Sequence, residues 1–424
     1  MATMPQHHSL PKGRERATLA VLCAVQFTHI LDFMIMMPLG EQLMRMFQIS
    51  PGQFTYLVAS YGLAASVSGL AGGFFLDRFD RKRSLIFLYA GFAVATLACA
   101  LAPTHHALLL ARLAAGAFGG LAGSMVSAMV GDIIPPSRRG RAMSVVMSAF
   151  PLASVLGVPA GLVLAGKFGW HAPFFLLASC AAVILVIAAF ALPPIKTAVL
   201  NHQPARQMKE IVSRTIHLRA FALGIALVMA GGLLIPFLAP SLIANVGLDE
   251  KVQLPFAYAI GGVATAISTP LIGWLSDRFD RLHLLAIMSA LAVVVVFFIT
   301  RLGPVSMAVA GSMMAAFMVT MSGRFAPAMT MITNAVEARY RGGFMSVNAA
   351  LQQAASGLAT LLAGLFVARG PHGQLAGFPT LGYVASGFFL LTVLLGYELR
   401  AAAPHVSRAA PSSVPPTPPA EVAA

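Results

Sequence analysis

The chain has 424 residues, 58% of them hydrophobic and only 10% charged, with a mean hydropathy of +0.82 and a formal net charge of +14. A water-soluble domain carries about a quarter charged residues. So apolar a chain cannot cover its own surface in water and needs lipid as its solvent, which excludes a soluble fold.

Residues 1–16 are polar and basic and are expected to form a mobile tail. The first apolar run, 17–39, is basic on its N-terminal flank. It is too long for a signal peptide and has no small-residue cleavage site after it, so it reads as a retained helix. Asp32 sits in the outer half of this run, where a charge costs roughly 2.5–3.5 kcal/mol or more in lipid, so it should face the protein interior. A carboxylate so placed can load and release a proton. His29 lies one helical turn earlier on the same face. Gln26 is a further polar group there, suited either to a cavity wall or to interhelical hydrogen bonds.

Runs two to six span 53–76, 84–103, 107–130, 142–165 and 172–194. Each reaches the roughly 20 apolar residues that a spanning helix needs. Arg112, in the fourth run, can pair with a nearby carboxylate or bind an anionic group; a fixed hydrogen bond to helix backbone is the alternative. A pair with Asp32 reads either as a coupling device or as a locked structural ion pair. Gly116–Gly123 should allow close helix contact, and Gly157, Pro159 and Gly161 should kink the fifth helix and pack it tightly.

Residues 195–219 form a basic loop, the natural boundary between a 17–194 unit and a 220–399 unit. Runs seven to twelve follow at 220–244, 254–276, 283–301, 304–330, 343–368 and 378–399. Arg324 lies in the tenth run between Gly323 and Pro327, which can bend the helix and open its backbone to a cavity. The other reading of Arg324 is an anchor for a gate or a lipid phosphate. Asn348, Gln352 and Gln353 are polar groups in the eleventh run and cavity candidates. The tail, 400–424, is rich in Pro, Ala and Ser and expected to be disordered. Cys23, Cys99 and Cys180 all fall in apolar runs and read as free buried thiols.

The pentapeptide Asp-Arg-Phe-Asp-Arg occurs twice, at Asp77–Arg81 and Asp277–Arg281. Gly73 aligns with Gly273, and Arg139-Gly140-Arg141-Ala142-Met143-Ser144 with Arg341-Gly342-Gly343-Phe344-Met345-Ser346. Six runs, a linker and six related runs imply an all-α membrane protein of 12 transmembrane helices in two pseudo-symmetric six-helix bundles, with a substrate site between them. With the N-terminus in the cytoplasm, 21 of the 28 lysines and arginines fall on the inner side, which sets both termini inside. Spread over short loops, these charges do not form a nucleic-acid surface. Gly161–Phe168 nearly spells a phosphate-binding loop but lacks its Ser/Thr and a preceding strand.

Gly73-Phe74-Phe75-Leu76-Asp77-Arg78-Phe79-Asp80-Arg81-Lys82 resembles the cytoplasmic signature of the major facilitator superfamily, Gly-x-Leu-Ala-Asp-Arg-x-Gly-Arg-Lys. It departs at Asp80, where the family usually has glycine. Arg112-Leu113-Ala114-Ala115-Gly116 resembles the fourth-helix motif of proton-coupled members. Gly131-Asp132 to Ala142, and Gly323-Arg324 to Pro327, are similar to the drug:proton antiporter and sugar-efflux branch. Gly157-Val158-Pro159 separates a Gly-Pro pair that antiporters keep adjacent, which fits sugar efflux better than multidrug export.

The resemblance implies a transporter rather than an enzyme. It implies proton-coupled efflux of a drug-like amphiphile, with sugar or nucleoside export as the alternative. The expected partners are a small-molecule substrate, protons and the lipid bilayer of a bacterial inner membrane. No cofactor is expected beyond the proton gradient, no metal, and a monomeric state. Asp32, His29, Arg112 and Gln26 would serve coupling or substrate. Gly73, Asp77, Arg78, Arg81 and Asp132, with Asp277, Arg278 and Arg281, would form a cytoplasmic gate; topology signalling by the same charges is the simpler role.

Overall fold

A computed structural model describes residues 11–75, 79–193, 204–337, 340–371 and 373–407. In the first half, α1 covers Lys12–Ile35, α2 Gly40–Phe47, α3 Pro51–Phe75, α4 Arg81–Ala100 and α5 His105–Ile133. The fifth span is a composite of α6 (Pro136–Met147), α7 (Ala149–Leu152), a π-helical turn (Ala153–Gly157) and α8 (Val158–Phe168), and α9 (His171–Ala191) closes the half. After α10 (Pro204–Val212), the second half holds α11 (Thr215–Ala244), α12 (Gln253–Arg278), α13 (Arg281–Ile299), α14 (Met307–Gly323), α15 (Phe325–Asn334), α16 (Arg341–Phe366) and α17 (Phe378–Ala402). Between α16 and α17, β1 (Ala368–Arg369) and β2 (Leu375–Ala376) pair antiparallel. Eleven helices among the described residues are long and apolar enough to span a membrane. The twelfth span is α14 and α15 together.

Local sequence explains the helix starts. Ser50 and Gln53 cap α3 reciprocally: the Ser50 hydroxyl accepts from the Gln53 N–H at 3.2 Å, and the Gln53 side-chain Oε1 from the Ser50 N–H at 2.9 Å. Pro51, at the first helical position, has no N–H to lose. Thr104 caps α5 by accepting from the Ala107 N–H. Asp80 and Asp280, the fourth residues of the repeated pentapeptide, cap α4 and α13 through Arg83 N–H and through Leu282 and His283 N–H. The departure from the family glycine at Asp80 therefore has a local reason.

Several elements differ from the sequence expectation. The tenth run is broken at Arg324, because Pro327 has no N–H to return to the Gly323 carbonyl. In the fifth span the Val158 N–H reaches back five residues to the Ala153 carbonyl, so the chain relaxes into a π-turn just before Pro159. α1 begins at Lys12, within the segment read as a tail, and α2 was not anticipated. The linker carries α10. The start of the C-terminal segment continues α17 to Ala402 and forms a 3-10 turn over Pro404–Val406, and the Ser407 carbonyl accepts from the Arg281 N–H at 2.9 Å. Cys99 is buried and Cys23 half-buried, but Cys180 is exposed on the outside of the bundle rather than in the core.

The buried apolar side chains form three major clusters. The largest, from Leu31 and Ile35 through Trp170 to Phe237, Met314 and Phe389, draws on both halves and lies at the end away from the linker. At the linker end the core divides. One cluster, including Val21, Met125 and Leu192, belongs to the first half, and another, including Leu223, Phe344 and Leu399, to the second. The halves thus share a core at the far end and have separate cores at the linker end.

Small residues make the far-end contact close. A side chain on Gly62 would meet the Gln353 carbonyl at 3.1 Å, and one on Gly262 the Val155 Cα at 2.8 Å. Ion pairs follow the same division. Arg369 donates to both Glu41 oxygens, at 2.8 and 2.9 Å, and Arg45 pairs with Glu250, each joining one half to the other at the far end. Glu15–Arg138, Arg81–Asp132, Arg214–Glu337 and Arg400–Asp280, at the linker end, bridge no further than within one half and its flanking linker.

Candidate functional site

Four helices of the first half meet at Asp32. α1 carries the carboxylate, α4 Thr96, α5 Arg112 and α3 Tyr61. The Arg112 Nη1 donates to Asp32 Oδ2 at 2.7 Å and to the Asp32 backbone carbonyl at 3.2 Å. The Thr96 hydroxyl donates to Oδ1 at 3.3 Å. Both charged side chains are fully buried, at 0% exposure. The Tyr61 ring packs on the guanidinium, 4.4 Å from Cζ to the centroid. Such a pair survives burial only because geometry and extra hydrogen bonds offset two desolvation penalties.

Glycines bring the helices this close. A side chain on Gly116 would strike the Tyr61 backbone, with Cα at 2.8 Å, and one on Gly120 the Ala65 Cα at 2.8 Å. α5 therefore lies directly on α3, and Arg112 is carried into the bundle rather than out to lipid.

The site keeps unused hydrogen-bonding capacity. Arg112 Nε and Nη2, both ring nitrogens of His29 and the Gln26 carbonyl oxygen are buried without a partner. His29 lies between the Tyr61 and Phe92 rings, with centroids at 5.9 and 6.3 Å, and the Tyr61 hydroxyl reaches its backbone carbonyl at 3.5 Å. Gln26 and His29 both border Gly123 of α5. His29 thus adjoins the Asp32–Arg112 pair through Tyr61, and Gln26 adjoins His29 at Gly123.

The second-half candidates are placed apart from it. Asn348 and Gln352 of α16 face Gly224 of α11, and the Gln352 amide contacts the Met329 sulfur at 3.5 Å. The Asn348 carbonyl oxygen has no partner. Arg324 is 1% exposed, at the break between α14 and α15.

At the linker end, Arg81 Nε donates to Asp132 Oδ2 at 3.0 Å, tying the start of α4 to the end of α5. Gly73 is in the last turn of α3, while Asp77 and Arg78 lie outside the described residues. The second pentapeptide has a different environment. Asp277 and Arg278 are exposed at the end of α12, with Arg278 over the Trp274 ring at 4.2 Å. Asp280 instead gathers Arg400, Ser407 and His283, and Arg281 is buried. Gly157 and Gly161 press the fifth span on α1, where added side chains would meet Leu31 at 2.8 Å and Ile35 at 2.6 Å.

Sequence reading missed Tyr61 and Thr96, since a tyrosine or threonine in an apolar run is ordinary. It also missed the far-end pairs of Glu41 and Arg45. The signal there was the only carboxylate between the first and second runs, with its arginine partner more than 300 residues away.

A duplicated bundle of twelve spans, sharing a core at one end and burying an acid–base pair in one half, has the architecture of a secondary transporter. The Major Facilitator Superfamily model matches residues 22–360, and the chain belongs to that family of multi-pass membrane transporters. That family is one of transporters rather than enzymes. Relatives of this chain include the Uncharacterized MFS-type transporter YceJ of Bacillus subtilis, 31% identical over 41% of this chain and 44% of that protein. Multidrug resistance protein 2 of the same organism is 27% identical over 52% of this chain and 56% of its own length. A Probable sugar efflux transporter of Mannheimia succiniciproducens is 23% identical over the same shares. The matched segments span about half the length of these relatives. Among solved structures, the inward-facing bacterial homolog of the human lysosomal transporter Spinster superposes with a TM-score of 0.77 at 16% identity, covering 95% of this chain and 100% of that one. A D-xylose–proton symporter superposes at 0.74 and 16% identity, covering 91% and 98%. At such identities the likeness is one of fold.

Proposed function

We propose that this transporter is a proton-coupled exporter of a small amphiphilic molecule, working as a monomer in a bacterial inner membrane. The observation that carries the reading is the fully buried Asp32–Arg112 pair. A proton on Asp32 removes the charged partner of Arg112 and leaves it the Asp32 backbone carbonyl; loss of that proton restores the ion pair. The chemistry of loading is thereby linked to a rearrangement of α1 against α5. The unpartnered nitrogens of His29, one helical turn from Asp32, and the Gln26 oxygen beside His29 at Gly123 are suited to passing a proton or holding substrate.

The excess of Lys and Arg at the linker end supports a cytoplasmic linker and termini. The far-end contacts then face the outside and must part when the site opens outward, as alternating access requires. The linker-end ion pairs of Arg81, Asp132 and the second pentapeptide are candidates for partners exchanged in the reverse movement. Sugar or nucleoside efflux is the second reading, favoured by the Gly157-Val158-Pro159 spacing and by the likeness to a sugar efflux transporter.

The test expresses wild type and Asp32→Asn, at equal membrane levels, in a bacterial host without its own efflux pumps. Growth is measured against toxic anionic, neutral, cationic and sugar-like compounds. Resistance in wild type that is lost in Asp32→Asn is the expected result. Resistance that survives the substitution removes Asp32 as the proton carrier. Uptake of a compound, with greater sensitivity in wild type, overturns export.

A further inference from the structure

Within the spanning helices the charges do not balance. The intramembrane carboxylate is Asp32, and it is taken by Arg112. In the second half the acids Asp249, Glu250, Asp277, Asp280, Glu337 and Glu398 lie at or beyond helix ends. Among the described residues Arg324 pairs with no acid.

Its surroundings are spare. Nη2 reaches the Met321 sulfur at 3.3 Å, Cζ lies 4.3 Å from the centre of the Phe389 ring of α17, and Nε and Nη1 have no partner. Sulfur and ring contacts return only part of the cost of burying a guanidinium. The helix ends meeting here do not supply the rest, because the negative end of α14 faces the positive end of α15 and the two offset. No side chain caps the start of α15. Pro327 interrupts the backbone ladder at this point, so the tenth span can bend here and admit a ligand from the linker end, where the halves have separate cores.

We propose that Arg324 is the seat of an anion-binding site, and that the transported molecule carries a carboxylate or phosphate group that pairs with it. The guanidinium fork supplies two free donors to such a group. The bound anion brings the intramembrane charge to balance, whereas a cationic substrate would add to the excess. The assignment rests on the export reading for its substrate, but binding itself requires no gradient.

The full-length protein in phosphatidylcholine nanodiscs is titrated with salicylate and phenyl phosphate, and with neutral salicylamide and cationic benzyltrimethylammonium as controls. Wild type is expected to prefer one or both anions. Arg324→Gln should weaken anion binding by about tenfold to a hundredfold, the equivalent of one charged hydrogen-bonded contact. Arg324→Lys should keep part of it, as the charge remains and the fork is lost. Arg324→Met, which removes an unpaired buried charge, should melt no lower than wild type, whereas a purely structural arginine would lower the melting temperature on removal. Anion binding unchanged in Arg324→Gln overturns the proposal. So does a wild type that prefers the cation or neutral compound, or binds none of the four. Phosphatidylglycerol that displaces the anions, and is retained by wild type but not by Arg324→Gln, assigns the site to a lipid headgroup and overturns the substrate assignment. Anion binding that persists in Asp32→Asn while its export stops separates the two readings; anion binding with no export by wild type sinks the exporter alone.

Discussion

One nitrogen of Arg112 serves Asp32 twice, reaching the carboxylate at 2.7 Å and the backbone carbonyl of the same residue at 3.2 Å. The carbonyl contact does not depend on the charge of the carboxylate. Arg112 therefore keeps a partner when Asp32 is neutral, and the pair can open without leaving the guanidinium bare.

Asp32→Ala and Arg112→Ala should each destabilise the protein by about 3–5 kcal/mol, since each leaves an uncompensated buried charge. Asp32→Asn retains a hydrogen-bonding oxygen and should lose less. The double variant Asp32→Asn/Arg112→Gln should recover much of the loss, because the remaining groups are uncharged. Thermal unfolding of the purified proteins measures this. Independent, additive losses would mean that the two side chains do not act as a pair.

Glu41, 4% exposed, is held by Arg369 across the join between the halves. Removing its charge in Glu41→Gln should cost about 1.5–3 kcal/mol. That is roughly tenfold to a hundredfold in the ratio of far-end-closed to far-end-open protein. Distances between spin labels placed at the far end should lengthen in the variant. An unchanged distribution would show that the shared apolar core alone holds that end closed.

Gly116→Val should destabilise by at least about 1–3 kcal/mol, because the added atoms meet backbone, which cannot yield by rotamer change. Gly140→Ala, where the new side chain meets nothing within 4 Å, should be neutral or stabilise its helix by up to about 1 kcal/mol. Melting temperatures of the two variants compare them directly. Equal effects would contradict the close approach of α3 and α5.

The two pentapeptides should not be equivalent. Asp80→Gly removes a cap and should cost only a few tenths of a kcal/mol, since glycine is itself tolerated at that position. Asp280→Gly removes a cap together with the contacts to Arg400 and Ser407, so it should cost more and should loosen the segment after α17. Hydrogen exchange at residues 403–407 reads the second effect. Matching exchange in the two variants would argue against it.

The sequence alone determined the membrane class, since 58% apolar residues in twelve long runs have no stable arrangement in water. It also determined the duplication, because a charged pentapeptide between apolar runs is too specific to recur by chance, and through those residues the family. It marked Asp32, Arg112 and Arg324, because an ionised group in an apolar run is costly wherever it points. Tertiary structure decided what those groups meet. Nothing local tells which of Arg112 and Arg324 meets an acid, yet one is neutralised by a carboxylate from α1 and the other packs on Phe389 without one. The break at Arg324 needed only Pro327, but whether the span bent or broke depended on the packing around it. The closure of the far end was illegible, because it joins residues as distant as Glu41 and Arg369. Short-range pattern fixes where helices run. The pairing of their faces is set by long-range packing that leaves no periodic trace in the chain.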